Sequence, residues 1–144
     1  MSLYDIFSIA GSGMSAQSVR LNTVASNLAN ANDVAGSEKE AYRARQPIFK
    51  AVLLNARQGA GGGTASAAYG VEVTGIQQSA APVRKEYRPG NPLADKQGYV
   101  YTSNVNSVEQ LANMISASRS YQSDVNLVST TQRLLLNTLQ LANK

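Results

Sequence analysis

"NVNSVEQLANMISASRSYQSDVNLVSTTQRLLLNTLQLANK", residues 104–144, contains neither Gly nor Pro, and its apolar residues recur every three or four positions. One seam runs Val108, Leu111, Ile115, Ser118, Gln122, Val125, Ser129, Gln132, Leu136 and Leu139. A second, offset around the helix, runs Leu111, Met114, Ser118, Tyr121, Val125, Val128, Gln132, Leu135, Leu139 and Ala142. This spacing predicts one unbroken amphipathic helix, about 58 Å long if it covers residues 105–143. Together the seams make an apolar face too broad for a single partner helix. Asn104 or Asn106 is the expected N-cap, with Glu109 completing a capping-box pattern after Asn106.

The opposite end of the chain has the same character. Leu3, Phe7, Ala10, Met14, Gln17, Leu21, Val24, Leu28 and Ala31 follow steps of four and three, and eight of these nine positions are apolar. A second long helix over residues 3–31 is expected, about 43 Å in length. Inside it Gly11 and Gly13 each cost about 1 kcal/mol relative to Ala. They are expected where another backbone comes close or where the helix bends.

Charge separates these ends from the middle. Only 15% of the 144 residues are charged, against roughly 25% in an ordinary soluble domain. Residues 3–31 hold two charges (Asp5, Arg20) and residues 105–143 hold four (Glu109, Arg119, Asp124, Arg133), whereas residues 32–104 hold 15. A lone domain of this size surrounds its apolar seam with charges for solubility. Here Ser, Thr, Asn, Gln and Ala surround it, groups that can be buried between helices without the desolvation cost of an ion. An apolar surface of that extent marks an interaction face. The residues expected at a subunit interface are therefore Leu3, Phe7, Met14, Leu21, Val24, Asn27, Leu28, Asn30 and Asn32 in the first helix, and Leu111, Met114, Ile115, Tyr121, Val125, Val128, Leu135, Leu136 and Leu139 in the second. For Asn30 and Asn32, helix C-capping is the alternative role. Isolated amphipathic helices are marginal in water, so both ends are expected to be largely disordered in the free chain and to fold on assembly.

The middle reads as a small β-rich unit over residues 33–103. "YGVEVTGIQ", residues 69–77, alternates as a strand does, and "PIFKAVLL", residues 47–54, is assigned to a strand by its β-branched start. Pro89-Gly90 suits a type II turn, with a second turn at Gln97-Gly98, after which Tyr99 and Tyr101 share one strand face. "GAGGG", residues 59–63, opens a flexible loop over residues 59–69. The expected fold is thus mainly α with a small β-rich insertion: an N-terminal helical segment 1–32 and a C-terminal one 104–144, pairing as a coiled-coil-like hairpin around the β unit.

Several function classes are disfavoured. The chain has no Cys and no His, which removes disulfides, thiolate metal sites and the commonest acid–base side chain. The Gly-rich loop lacks the Gly-Lys-Ser/Thr ending of a phosphate loop, and Glu38 and Glu40 read as a solvated pair. No enzyme, cofactor or metal is expected. Arg84, Lys85 and Arg88 are interrupted by Glu86, so no continuous basic stripe exists for nucleic acid. No apolar run reaches the roughly 20 residues that span a bilayer, and Asp5 with the nearby Ser and Gly breaks the run a secretory signal needs. These features alone place the protein in the cytoplasm by default. A soluble helical adaptor or export chaperone, holding partner helices in its apolar groove, is the competing reading.

"IAGSGMSAQSVRLNTVASNLANAN" (9–32), followed by "YRARQPIF" (42–49), resembles the N-terminal signature of the bacterial flagellar rod, hook and basal-body axial proteins. "GVEVTGI" (70–76) and "YRPGNPLADKQGYVYTSNVNSVEQLANMISASRSYQ" (87–122) are similar to the rod members, so the likeness spans nearly the whole chain. The general motif continues after its Asn run with Thr-Pro-Gly-Tyr, whereas here Asp33 to Ala41 intervene before Tyr42, a length that fits the proximal-rod branch. The resemblance implies a structural axial subunit of the basal-body rod, in the periplasm, transmitting torque. It implies export through the flagellar type III channel without a cleaved signal. Implied partners are other copies of the chain, the other proximal and distal rod proteins, a rod cap during assembly and the export apparatus.

Overall fold

The computed structural model describes residues 3–54 and 69–142, and the side chains of all of these except Leu3 and Ala142. The loop expected over residues 59–69 therefore lies outside the described residues except for Tyr69, which opens a strand. The elements run α1 (Leu3–Ala29), β1 (Val34–Ala35), β2 (Arg45–Leu53), β3 (Tyr69–Gln78), β4 (Arg84–Tyr87), β5 (Tyr99–Thr102) and α2 (Ser107–Ala142). Two long helices with small antiparallel sheets between them match the expected class. The strand assignments at 47–54 and 69–77 hold as well.

Local chemistry sets the helix ends. Asn106 is the N-cap of α2: its Oδ1 accepts from the backbone N–H of Val108 at 3.1 Å and of Glu109 at 3.3 Å, filling two of the donors that a helix start leaves free. At the end of α1, Asn30 Nδ2 donates to the Ser26 carbonyl at 2.7 Å, the capping role considered for it above. Helix α1 is continuous through Gly11 and Gly13. The close approach at Gly13 is by a side chain and not by a backbone: a Cβ there would lie 2.8 Å from Asp124 Oδ2 on α2, whereas a Cβ at Gly11 would meet nothing within 4 Å.

The helices run antiparallel. Asn27 meets Gln110, Arg20 meets Asn113, and Gly13 lies against Asp124. At equal rise per residue, this register sets Leu3 level with roughly residue 134 of α2. Beyond that point α2 overruns its partner, and residues 132–141 are exposed without exception.

Strands β2 and β3 form an antiparallel hairpin with a bulge between Ile48 and Phe49. It lies lengthwise along α1: Asn27 binds both backbone groups of Arg45 at one end, and Ser12 Oγ accepts from the Val71 N–H at 3.1 Å at the other. Gly70 permits that approach, since a Cβ would come within 2.8 Å of Ser12 Oγ and of Leu54 Cδ2. The second sheet has strand order β1-β5-β4. Tyr99 and Tyr101 share a face, as expected, and the Lys85 ammonium lies 4.3 Å and 5.7 Å from their ring centroids. The turn at Arg88–Asn91 closes with Asn91 N–H donating to the Arg88 carbonyl, but it is not type II. That type needs a positive φ at Gly90, and among the described residues only Gly98 (φ 82°) has one. Gly98 ends the Asp95–Gly98 turn, where Asp95 Oδ1 accepts from the N–H groups of Gln97 and Tyr99. The buried core at the base of the helical pair is small: Ala31, Ala44 and Val105, with Tyr42 against them.

Candidate subunit interface

Contact between the two helices uses few large side chains. On α1 the buried residues are Ala10, Ala16, Thr23, Val24 and Asn27; on α2 they are Gln110, Ala117 and Thr131. Half-buried Met114, Tyr121, Asp124 and Val128 fill the positions between those on α2. Thr23 and Thr131 donate their hydroxyls to the carbonyls four residues back, both at 2.8 Å, so neither hydroxyl is left unpaired. At Gly13 the missing side chain makes room for the Asp124 carboxylate. The two seams read on α2 therefore divide. Met114, Tyr121 and Val128 lie on the side toward α1, whereas Leu111, Ile115, Val125 and Leu136 face away and are exposed.

Asn27 holds the base of the pair together. It is 1% exposed. Its Nδ2 donates to the Arg45 carbonyl at 2.8 Å and to Gln110 Oε1 at 3.0 Å. Its Oδ1 accepts from the Arg45 N–H at 2.8 Å and from the Tyr42 hydroxyl at 3.0 Å. One neutral amide thus joins α1, the loop before β2, β2 itself and α2, with every donor and acceptor used.

Two of the residues expected at the subunit interface are buried within the chain itself. Asn27 and Val24 (4% exposed) lie inside the chain and have almost no surface to offer a neighbour. The sequence alone signals a neutral amide in a protein-lined site, and Tyr42, Arg45 and Gln110 supply that lining from this same chain. Asn32 is exposed, and Phe7, Met14, Leu21, Leu28 and Asn30 are half-buried. Leu3 opens α1, with its side chain outside the description.

What remains open is a long apolar surface on α2. Ile115 is 55% exposed, Leu136 52% and Leu139 58%; Leu111, Val125 and Leu135 are exposed as well. The structure adds Val108, Leu127, Leu134 and Leu141 to this set. Apolar residues on this scale are a site where other apolar surface can bind. The β2–β3 hairpin contributes exposed Ile48, Phe49, Leu53, Val71 and Ile76, which sequence reasoning did not single out because alternation in a two-stranded ribbon does not tell which face is covered.

Among the described residues there is no group of three or more His, Cys, Asp or Glu side chains placed to hold a metal, and no helix is long and apolar enough to cross a membrane. The described geometry offers an extended set of exposed apolar residues on α2.

Comparison with known families agrees with that geometry at both ends of the chain. Residues 7–36 match the family described as flagella basal body rod protein. Residues 96–141 match the flagellar basal body rod FlgEFG protein C-terminal family. Over 98% of its length, and 98% of theirs, the chain is 48% identical to the flagellar basal-body rod protein FlgC of Escherichia coli O6:H1 and 45% identical to that of Salmonella typhimurium. The FlgC of Yersinia enterocolitica is 48% identical over the same share. These relatives are structural rod proteins and not enzymes. With two rod-family segments in order and FlgC relatives matching end to end, the chain belongs to the FlgC family of flagellar basal-body rod proteins.

Proposed function

We propose that the chain is an axial building block of the proximal rod, assembling through its terminal helices with copies of itself and with other rod subunits into a tube around the export channel. The observation that supports this most directly is the division of α2: Gln110, Ala117 and Thr131 are buried toward α1 with Met114, Tyr121 and Val128 half-buried beside them, while Leu111, Ile115, Val125, Leu136 and Leu139 are exposed. The heptad spacing of those outward residues suits coiled-coil-like packing against helices of neighbouring subunits. Burial at about 25 cal/mol per Å2 then accumulates over many copies, and side-by-side helices carry torque along the tube. The charged β-rich region, residues 33–103, sits on the outside of that tube.

In this reading the distal rod protein and a rod cap are further partners, and the subunit reaches the periplasm through the flagellar type III export apparatus. The test uses Ile115→Asp and Leu28→Asp in cells lacking the native gene. Both variants are expected to be exported but absent from purified basal bodies, with motility lost. Normal incorporation of Ile115→Asp would overturn the assignment of the outward face to assembly. A monodisperse complex with free partner helices, in place of a rod, would favour the adaptor reading.

A further inference from the structure

The few charges on α2 are arranged for a contact that the single chain does not make. Glu109, Arg119, Asp124 and Arg133 are its only charged side chains, and among the described residues none of the four is in an ion pair. Three of them are exposed, while Asp124 is half-buried in the groove against Gly13. A carboxylate in this position can accept from a hydrogen-bonding cation. A Cβ on residue 13 would lie 2.8 Å from Asp124 Oδ2, so Gly13 leaves room for that carboxylate.

The donor has to come from another molecule, and α2 itself supplies a candidate. At about 100° per residue, the two acids of α2 lie within about 60° of each other and the two arginines within about 40°. The acidic and basic flanks are separated by about 130°, so they cannot satisfy each other within one helix. Two copies joined by different faces bring a basic flank onto an acidic one. For copies of the same polarity, a stagger of nine to ten residues, about 14 Å, aligns Arg133 with Asp124 and Arg119 with Glu109 at once. Pairing Asp124 with Arg119 instead needs a stagger of five residues, which leaves Glu109 without a base opposite it.

We propose that Arg133 of one copy pairs with Asp124, beside Gly13, of the next, while Arg119 pairs with Glu109. This rests on the rod reading above and specifies the neighbour as a second copy of the chain, of the same polarity, displaced by about 14 Å. A guanidinium presents its donors in a fixed fork that suits a carboxylate.

The absence of cysteine from the chain makes the test clean. Positions 124 and 133 are about 13.5 Å apart along one helix, beyond the roughly 7 Å that a disulfide spans. A chain carrying Asp124→Cys and Arg133→Cys can therefore link only to another copy. Oxidised basal bodies containing this variant are expected to give a ladder of multimers on a non-reducing gel, with monomer from either single variant and from Asp124→Cys with Arg119→Cys. Monomer only from the double variant, or a ladder through position 119, overturns the proposal. Independently, Arg133→Asp is expected to lower incorporation about tenfold while Arg133→Lys retains most of it; normal incorporation of Arg133→Asp also overturns it. If these results fail while Ile115→Asp still blocks assembly, the ion pairing falls and the rod reading stands.

Discussion

The two ends of the helical pair follow opposite rules. At the base, Asn27 closes four hydrogen bonds within the chain, and Ala31, Ala44 and Val105 bury a small core beside it. At the far end, α2 runs past the start of α1 with Leu134, Leu135, Leu136, Leu139 and Leu141 all exposed. The base uses polar groups and satisfies them; the tip uses apolar groups and covers none. Polar satisfaction makes one end complete in the monomer, while uncovered leucines leave the other end dependent on a neighbour.

The sharpest way to break this contrast is to remove the amide. Asn27→Ala removes the side-chain partner of the Arg45 backbone groups and of Gln110 Oε1 and leaves the Tyr42 hydroxyl with Ser26 Oγ, and is expected to destabilise the isolated chain by about 3 kcal/mol, since each buried group left unpaired costs about 1–3 kcal/mol. Urea denaturation followed by circular dichroism reads this directly, and a loss under 1 kcal/mol would show that the base is not held by the amide. Asn106→Ala removes the α2 cap and is expected to cost about 1 kcal/mol in the same measurement. At the tip the sign of the experiment reverses. Leu136→Asp is expected to change monomer stability by less than about 0.5 kcal/mol, as surface substitutions do, while still abolishing incorporation into basal bodies. The finest distinction is by hydrogen exchange on the free chain: amides around residues 23–28 and 110–117 are expected to be protected, and those of residues 132–141 to exchange as an open helix does. Uniform exchange along both helices would remove the contrast and return the free chain to the full terminal disorder suggested by sequence.

Periodicity made the helices legible. The unbroken three–four spacing of residues 108–142 and the Asn106 cap needed no tertiary information, and alternation gave β3 in the same way. Partner choice was less accessible. Asn27 was readable as an amide lined by protein, but only the return of Arg45 and Gln110 to it shows that the lining is internal. The Pro89-Gly90 dipeptide permits a type II turn without requiring one, and the left-handed residue falls at Gly98, where the Tyr87 ring and Pro89 lie within 3.4 Å of where a Cβ would be. The division of α2 into a face toward α1 and a face away from it was hidden by Leu111 and Val125 belonging to both seams. The paired partner selects small residues, which a hydrophobic template ranks below leucine.

The overrun of α2 has a thermodynamic corollary. A segment ordered by contact with its neighbours gains stability as RT ln(1 + [L]/Kd), where [L] is the local activity of free docking sites: at a thousandfold excess over Kd this is about 4 kcal/mol. Its last turns would then have no fixed melting temperature of their own. Dilute subunits in transit would hold them loosely, and the growing end of an assembly, where docking sites are concentrated, would set them.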